Sequence, residues 1–262
     1  RSRLYPISLG VLVLSVIGAG WLGEPVARQY HTRGWSVCAT RTHDAGVDAL
    51  RRTGLDAYKI ILTPDTDPAT LTHLIRPITL VTVPFRRSLA NPWDYLASLK
   101  TLGPALASAD HSLFTSSTSV YTPENQPVDE TTVIRPVTER QSVLLAVEQF
   151  FLTLPVPATV IRFGGLYGPG RHKGRFLQPG APGGLTPVNM IHLDDCLGII
   201  NAVIQHGPHR AIYNAVHPRH LTKSAFYNLA LQPTVLPHKR VLSDKVQTVL
   251  NYVFTHDPEL AD

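Results

Sequence analysis

Gly18, Ala19, Gly20, Trp21, Leu22 and Gly23 match the pattern G-x-G-x-x-G between an apolar run and an amphipathic segment. That spacing suits a backbone turn that receives paired phosphates. The first glycine makes the tight turn, the second lets a pyrophosphate approach the backbone, and the third lets helix pack on strand. Unpaired N–H groups and the positive dipole end of the following helix supply the anion site. Gly18, Gly20, Trp21, Leu22 and Gly23 are therefore candidate cofactor contacts. About 20 residues onward, where an Asp or Glu would bind the ribose hydroxyls of NAD, the chain reads Thr40-Arg41-Thr42. A guanidinium there pairs with a 2′-phosphate, so Arg41 directs the expectation to NADP(H) rather than NAD(H).

Three other groups of residues have chemistry to offer. The segment from Phe114 to Tyr121 reads F-T-S-S-T-S-V-Y. It ends a β-type run, at the carboxyl edge where open α/β sheets bind ligands. Val83 and Pro84 end another such run and are expected beside the cofactor, as is Ser116. Arg86 and Arg87 follow within reach of its phosphates or of a substrate. Gly170-Arg171-His172-Lys173-Gly174-Arg175-Phe176 gathers basic side chains in one irregular stretch. Arg171 and Arg175 suit a bidentate clamp on a phosphate or carboxylate, and His172 suits acid or base work near neutral pH. Asp194 and Asp195 begin a helix, where capping and dipole compensation explain them without a metal.

The elements that must position these residues alternate. Strands are expected over 11–17, 35–40, 57–61, 79–83, 112–116, 159–163 and 211–215. Helices are expected over 21–33, 46–52, 68–75, 92–109, 138–154, 192–205, 222–231 and 243–252. Strand and helix in this alternation predict an α/β fold, a Rossmann-type doubly wound parallel sheet. The stretch 164–187 is rich in Gly, Pro and basic residues and reads as an irregular functional segment. The division expected is a nucleotide-binding domain over 9–166 and a small C-terminal substrate-facing lobe over 167–262, of which 188–215 interleaves with the main sheet.

The T-S-S-T-S-V-Y strand end resembles the extended short-chain dehydrogenase/reductase superfamily. So do Ile161-Arg162-Phe163-Gly164-Gly165-Leu166-Tyr167-Gly168-Pro169-Gly170-Arg171 and His192-Leu193-Asp194-Asp195. Aligned on Val120-Tyr121, the resemblance gives Ser117 the catalytic Ser/Thr role. It also places Asn189 and His192 among substrate-lobe contacts and favours the basic clamp. Members with redox or epimerase chemistry carry Y-x-x-x-K on the next helix, and the matching positions here are Arg140 and Leu144. Neither can serve, since a guanidinium stays protonated and Leu has no ionisable group. Together these features look like the superfamily's atypical subgroup, whose members are described as nucleoside-diphosphate-sugar epimerases or NAD(P)-binding oxidoreductases. Tyr121 or His172 would then stand in for the absent acid/base. The resemblance also admits a homodimer through helices 92–109 and 138–154.

Composition narrows the classes. The chain has 262 residues, 44% hydrophobic and 16% charged, enough for a core and too little charge for disorder. The net charge of +5 is dispersed, which argues for a small anionic partner rather than nucleic acid. Cys38 and Cys196 lack metal-ligand spacing and point to a reducing, cytoplasmic setting. The run 9–17 is shorter than the roughly 20 residues that span a bilayer, and it enters a glycine turn rather than a cleavage site, so no membrane association is expected. The functional expectation is an NADP(H)-dependent oxidoreductase or epimerase-like enzyme acting on an anionic small molecule such as a nucleotide-sugar. The alternative is a non-catalytic NADP(H)-binding sensor or scaffold.

Overall fold

The computed structural model describes residues 12–86, 88–173 and 177–259. In chain order it begins with β1 (Val13–Ile17), α1 (Gly23–Thr32), β2 (Ser36–Arg41), α2 (Asp44–Arg51) and β3 (Asp56–Lys59). A 3-10 turn over Pro68–Leu74 leads to β4 (Ile78–Val81), α3 (Asp94–Lys100), α4 (Gly103–Leu106) and β5 (His111–Ser117). Next come β6 (Pro127–Val128), α5 (Glu139–Leu152), β7 (Ala158–Phe163), β8 (Gly165–Tyr167) and β9 (Met190–His192). The chain closes with α6 (Leu193–His206), β10 (Ala211–Ala215), α7 (Lys223–Tyr227), β11 (Arg240–Val241) and α8 (Asp244–Val249).

Seven strands form one sheet in the order β10-β7-β5-β4-β1-β2-β3. Read from β3, this is the doubly wound order, which reverses between β1 and β4. The α/β Rossmann-type fold expected from the alternation is the fold found. Its centre follows from sequence: Leu14, Val16 and Ile17 are at most 1% exposed, as a strand covered on both faces requires. In the parallel ladder Ser15 lies beside Cys38 of β2 and Thr79 of β4. The Ser15 hydroxyl is satisfied by the Leu74 carbonyl at 2.6 Å.

Several helices are shorter than their sequence patterns. The 92–109 stretch splits into α3 and α4, because Pro104 lacks an N–H and its ring opposes continuation of the preceding turn. Pro68 and the β-branched Thr70 and Thr72 leave 68–74 as a 3-10 turn. Asn228 ends α7 with φ of +49°, and Asn251, at +51°, follows α8. The irregular 164–187 stretch includes β8, which pairs in parallel with β9.

Two compact units are distinguishable. The first comprises the described part of Arg1–Thr115 with Ser142–Val160 and Val203–Ala211, and the second comprises Ser116–Gln141, Ile161–Ala202 and Ile212–Asp262. Within the first, Phe114 stacks on Phe151 with ring centroids 4.4 Å apart. Arg210 donates to the carbonyls of Leu154 and Val156 at 2.9 and 2.8 Å, satisfying acceptors that α5 leaves beyond its end. Among the described residues, no helix is long and apolar enough to cross a membrane.

Candidate functional site

The glycine turn lies in the first unit. β1 delivers the chain into Gly18, whose φ of +96° favours glycine. Thr40 at the end of β2 holds the turn from one side: the Gly18 N–H donates to its Oγ1 at 2.9 Å, and the Ala19 N–H to its carbonyl at 2.8 Å. Thr82, just past β4, holds it from the other, donating its hydroxyl to the Gly18 carbonyl and its N–H to the Ile17 carbonyl at 2.9 Å. A Cβ on Gly23 would come 2.6 Å from the Gly18 oxygen and 3.0 Å from Val16 Cγ1, so α1 packs there at backbone distance. A Cβ on Gly20 would meet only the Gly18 oxygen, at 3.9 Å. Among the described residues, nothing demands glycine at position 20. Leu22 is buried and Trp21 half-buried beside it.

Arg41 ends β2, and its Nη2 donates to Glu24 in the first turn of α1. The other Glu24 oxygen accepts from Arg28, through Nε at 2.9 Å and Nη2 at 2.6 Å. The Nε of Arg41 is enclosed and has no acceptor among the described residues. β4 stops at Val81, so Val83 and Pro84 fall in the loop beyond it. The Val83 carbonyl accepts the Tyr95 hydroxyl at 2.7 Å. Pro84 and Arg86 are exposed, and Arg87 lies outside the described residues.

Ser116 to Tyr121 of the serine segment belong to the second unit. Ser117 is the last residue of β5, and its Oγ accepts the Ser119 N–H at 3.1 Å, capping a 3-10 turn over Thr118–Val120. That bond uses a lone pair and leaves the O–H to donate. Ser116 is 8% exposed. Tyr121 was expected as a stand-in proton carrier, but its hydroxyl is already committed. It accepts from Arg162 Nη1 at 2.8 Å and faces the Asp129 carbonyl and Asn214 Oδ1 at 2.8 and 2.9 Å. Burial pushes the phenol above its ordinary value, which keeps it protonated. Lys239 Nζ donates to the Tyr121 carbonyl at 2.5 Å.

Elsewhere in the second unit the basic segment divides. Gly168 and Arg171 exchange backbone hydrogen bonds in a tight turn, and Arg171 and His172 are exposed. Lys173 instead donates to the Pro258 carbonyl at 2.7 Å and lies over the Tyr167 and Phe226 rings. Arg175, with Gly174 and Phe176, lies outside the described residues. Asn189 was expected to contact substrate, yet both ends of its amide serve the backbone around β11, Nδ2 on the Lys239 carbonyl at 2.9 Å and Oδ1 under the Val241 N–H at 2.8 Å.

The cap expected of Asp195 is not what its carboxylate does: His192 Nδ1 accepts the Asp194 N–H at 3.2 Å, while Asp195, fully buried, receives the Tyr252 hydroxyl at 2.7 Å, the Thr255 N–H at 2.8 Å and the Thr255 hydroxyl at 3.1 Å. His192, Asp194 and His256 bring ligand-type atoms within 4.8 Å of one another. The two imidazoles, however, are parallel and stacked at 3.5 Å, so their in-plane lone pairs do not converge on one ion. On α5, Leu144 is 3% exposed and Arg140 half-buried in the first turn.

No family model matches the chain. Protein YeeZ of Escherichia coli K12 is 38% identical over 221 residues, which cover 82% of this chain and 81% of that protein. The chain belongs to the YeeZ family. Solved structures share the fold of this YeeZ-family chain at low identity. The UDP-N-acetylglucosamine 4-epimerase of Bacillus cereus is 14% identical with a TM-score of 0.76, covering 95% of this chain and 93% of that one. The Bordetella bronchiseptica enzyme WbmG in complex with NAD is 15% identical with a TM-score of 0.78, covering 97% and 92%.

Sequence reasoning missed three residues of the YeeZ-family turn. Thr40 and Thr82 brace it, and the signal was a hydroxyl residue at or just beyond the end of each strand that flanks β1. Glu24 was hidden because an acid in the first turn of a helix has an ordinary explanation in the helix dipole.

Proposed function

We propose that this chain is an NAD(P)-binding protein of oxidoreductase or epimerase type, favouring NADP(H) and acting on an anionic small molecule of the nucleotide-sugar class. The observation that carries this reading is Gly20. Its missing side chain relieves no clash among the described residues; the Glu24 N–H already turns back to the Gly20 carbonyl at 2.9 Å and Pro25 has no N–H, so the amides a phosphate would meet are those of Leu22 and Gly23 where α1 opens. A backbone bared in this way suits paired phosphates. The fold shared with a UDP-N-acetylglucosamine 4-epimerase and with an enzyme in complex with NAD supports the same reading. A bound nicotinamide supplies hydride transfer. Ser117 offers its O–H to a substrate oxygen, Arg171 offers its guanidinium to the substrate's anionic part, and His172 is the proposed acid/base group.

A second reading, a dinucleotide-binding sensor without turnover, is favoured by the walled-in Tyr121 hydroxyl and by the apolar, buried Leu144. Calorimetry of the folded chain with NADPH and NADH, followed by a turnover screen over UDP-sugars and small carbonyl compounds, separates the readings. Turnover that Ser117→Ala lowers about a hundredfold supports the enzyme. Binding without turnover supports the sensor, and no heat with either nucleotide overturns both.

A further inference from the structure

The end of β2 carries no acid in the sequence, yet the structure brings one there. Glu24 reaches Arg41 from the first turn of α1, so a carboxylate and a guanidinium stand side by side where the adenosine ribose would be read. We infer that Glu24 and Arg41 form a two-way ribose selector, Glu24 accepting the free hydroxyls of NAD(H) and Arg41 pairing with the 2′-phosphate of NADP(H), so that the chain accepts both. The inference rests on the dinucleotide reading above and refines its cofactor preference.

Three features give the selector two states. Arg28 grips Glu24 through two N–H groups at 2.9 and 2.6 Å, so the carboxylate stays paired when Arg41 leaves it. Arg41 in its present pose uses Nη2 on Glu24 but leaves Nε enclosed without an acceptor among the described residues, a donor whose lost hydration they do not offset. Turned onto a phosphate, the guanidinium fork finds acceptors for Nε and Nη2 together. Charge then sets the balance. Glu24 competes with the phosphate for Arg41 and repels it directly, while for an unphosphorylated ribose the same carboxylate is an acceptor. Both side chains are about a quarter exposed, at 24% and 25%, so the selector is open to a ligand yet not fully screened.

Fluorescence titration of the full chain with NADPH and with NADH tests the inference. Glu24→Gln is expected to tighten NADPH and weaken NADH, raising the ratio of the two affinities about tenfold, the worth of one charge interaction near 1.4 kcal/mol. Arg41→Met is expected to weaken NADPH about tenfold while NADH stays within about twofold. Circular dichroism checks that each variant is folded, and if Glu24→Gln is not, the Arg41→Met ratio decides. An affinity ratio that stays within about twofold of wild type overturns the selector while leaving nucleotide binding intact. A wild-type chain that binds neither nucleotide overturns the parent reading, and the selector with it.

Discussion

The Arg162 guanidinium donates to the Tyr121 hydroxyl across 2.8 Å and lies 5.0 Å from the centre of the same ring. Tyr121 is thus a hub within the second unit, joining β7 to the Asp129 carbonyl and to Asn214 of β10. Tyr121→Phe is expected to lower stability by about 1–3 kcal/mol, because buried polar groups lose a shared partner. Urea unfolding measures the loss. A variant as stable as wild type, with an altered pH profile of turnover, would instead make Tyr121 a proton carrier.

The glycines of the turn are expected to separate folding from binding. Gly23→Ala presses a methyl group against the Gly18 oxygen and Val16 and is expected to cost about 1–3 kcal/mol. Gly20→Ala has room and is expected to change stability by less than about 0.5 kcal/mol. Its effect falls on NADPH and NADH affinity, a loss of about tenfold or more. Thermal melts and titrations of both variants give the comparison, and equal nucleotide affinity in Gly20→Ala would contradict the role given to that position.

His111 makes stability depend on pH. Its Nε2 lies 2.9 Å from Thr159 Oγ1, whose single proton goes to the His209 carbonyl at 2.9 Å, so His111 Nε2 is the donor. Burial first, and the neighbouring His209 second, pull its pKa from 6.5 to about 4. Between those values the unfolded chain binds the extra proton and the folded chain does not. The site's contribution is therefore complete above pH 6.5 and drains away as pH falls toward 4, a loss on the order of 2–3 kcal/mol. His111→Gln should flatten this part of the urea-stability profile between pH 7 and pH 5; an unchanged slope would place its source elsewhere.

Asp195 holds the 252–256 segment by side-chain and backbone donors. Removing the carboxylate in Asp195→Ala leaves those donors without their acceptor and is expected to cost about 3 kcal/mol. Limited proteolysis should then cut within 252–256 well before the wild-type chain is cut. Equal resistance would show that packing alone secures the segment.

The sheet was legible because its central strands are covered on both faces and write themselves as unbroken apolar runs, as in 13–17. The glycine turn was legible for a different reason: Gly18 and Gly23 answer local geometric demands that no other residue meets. Helix lengths were less so. Apolar spacing continues across 92–109, but the backbone cannot follow it through Pro104. The partners of Tyr121 were invisible because Arg162 and Asn214 are distant in sequence, and the carboxylate near Arg41 because it arrives from another element. Pattern reports what each segment buries, and says little about which side chains meet across segments.

Thr40 and Thr82 brace the glycine turn from both flanks. On the dinucleotide reading proposed above, an arriving nucleotide would meet a turn that these bonds already hold in place. Association should then follow a single phase in stopped-flow fluorescence, with no slow step from rearrangement of the loop.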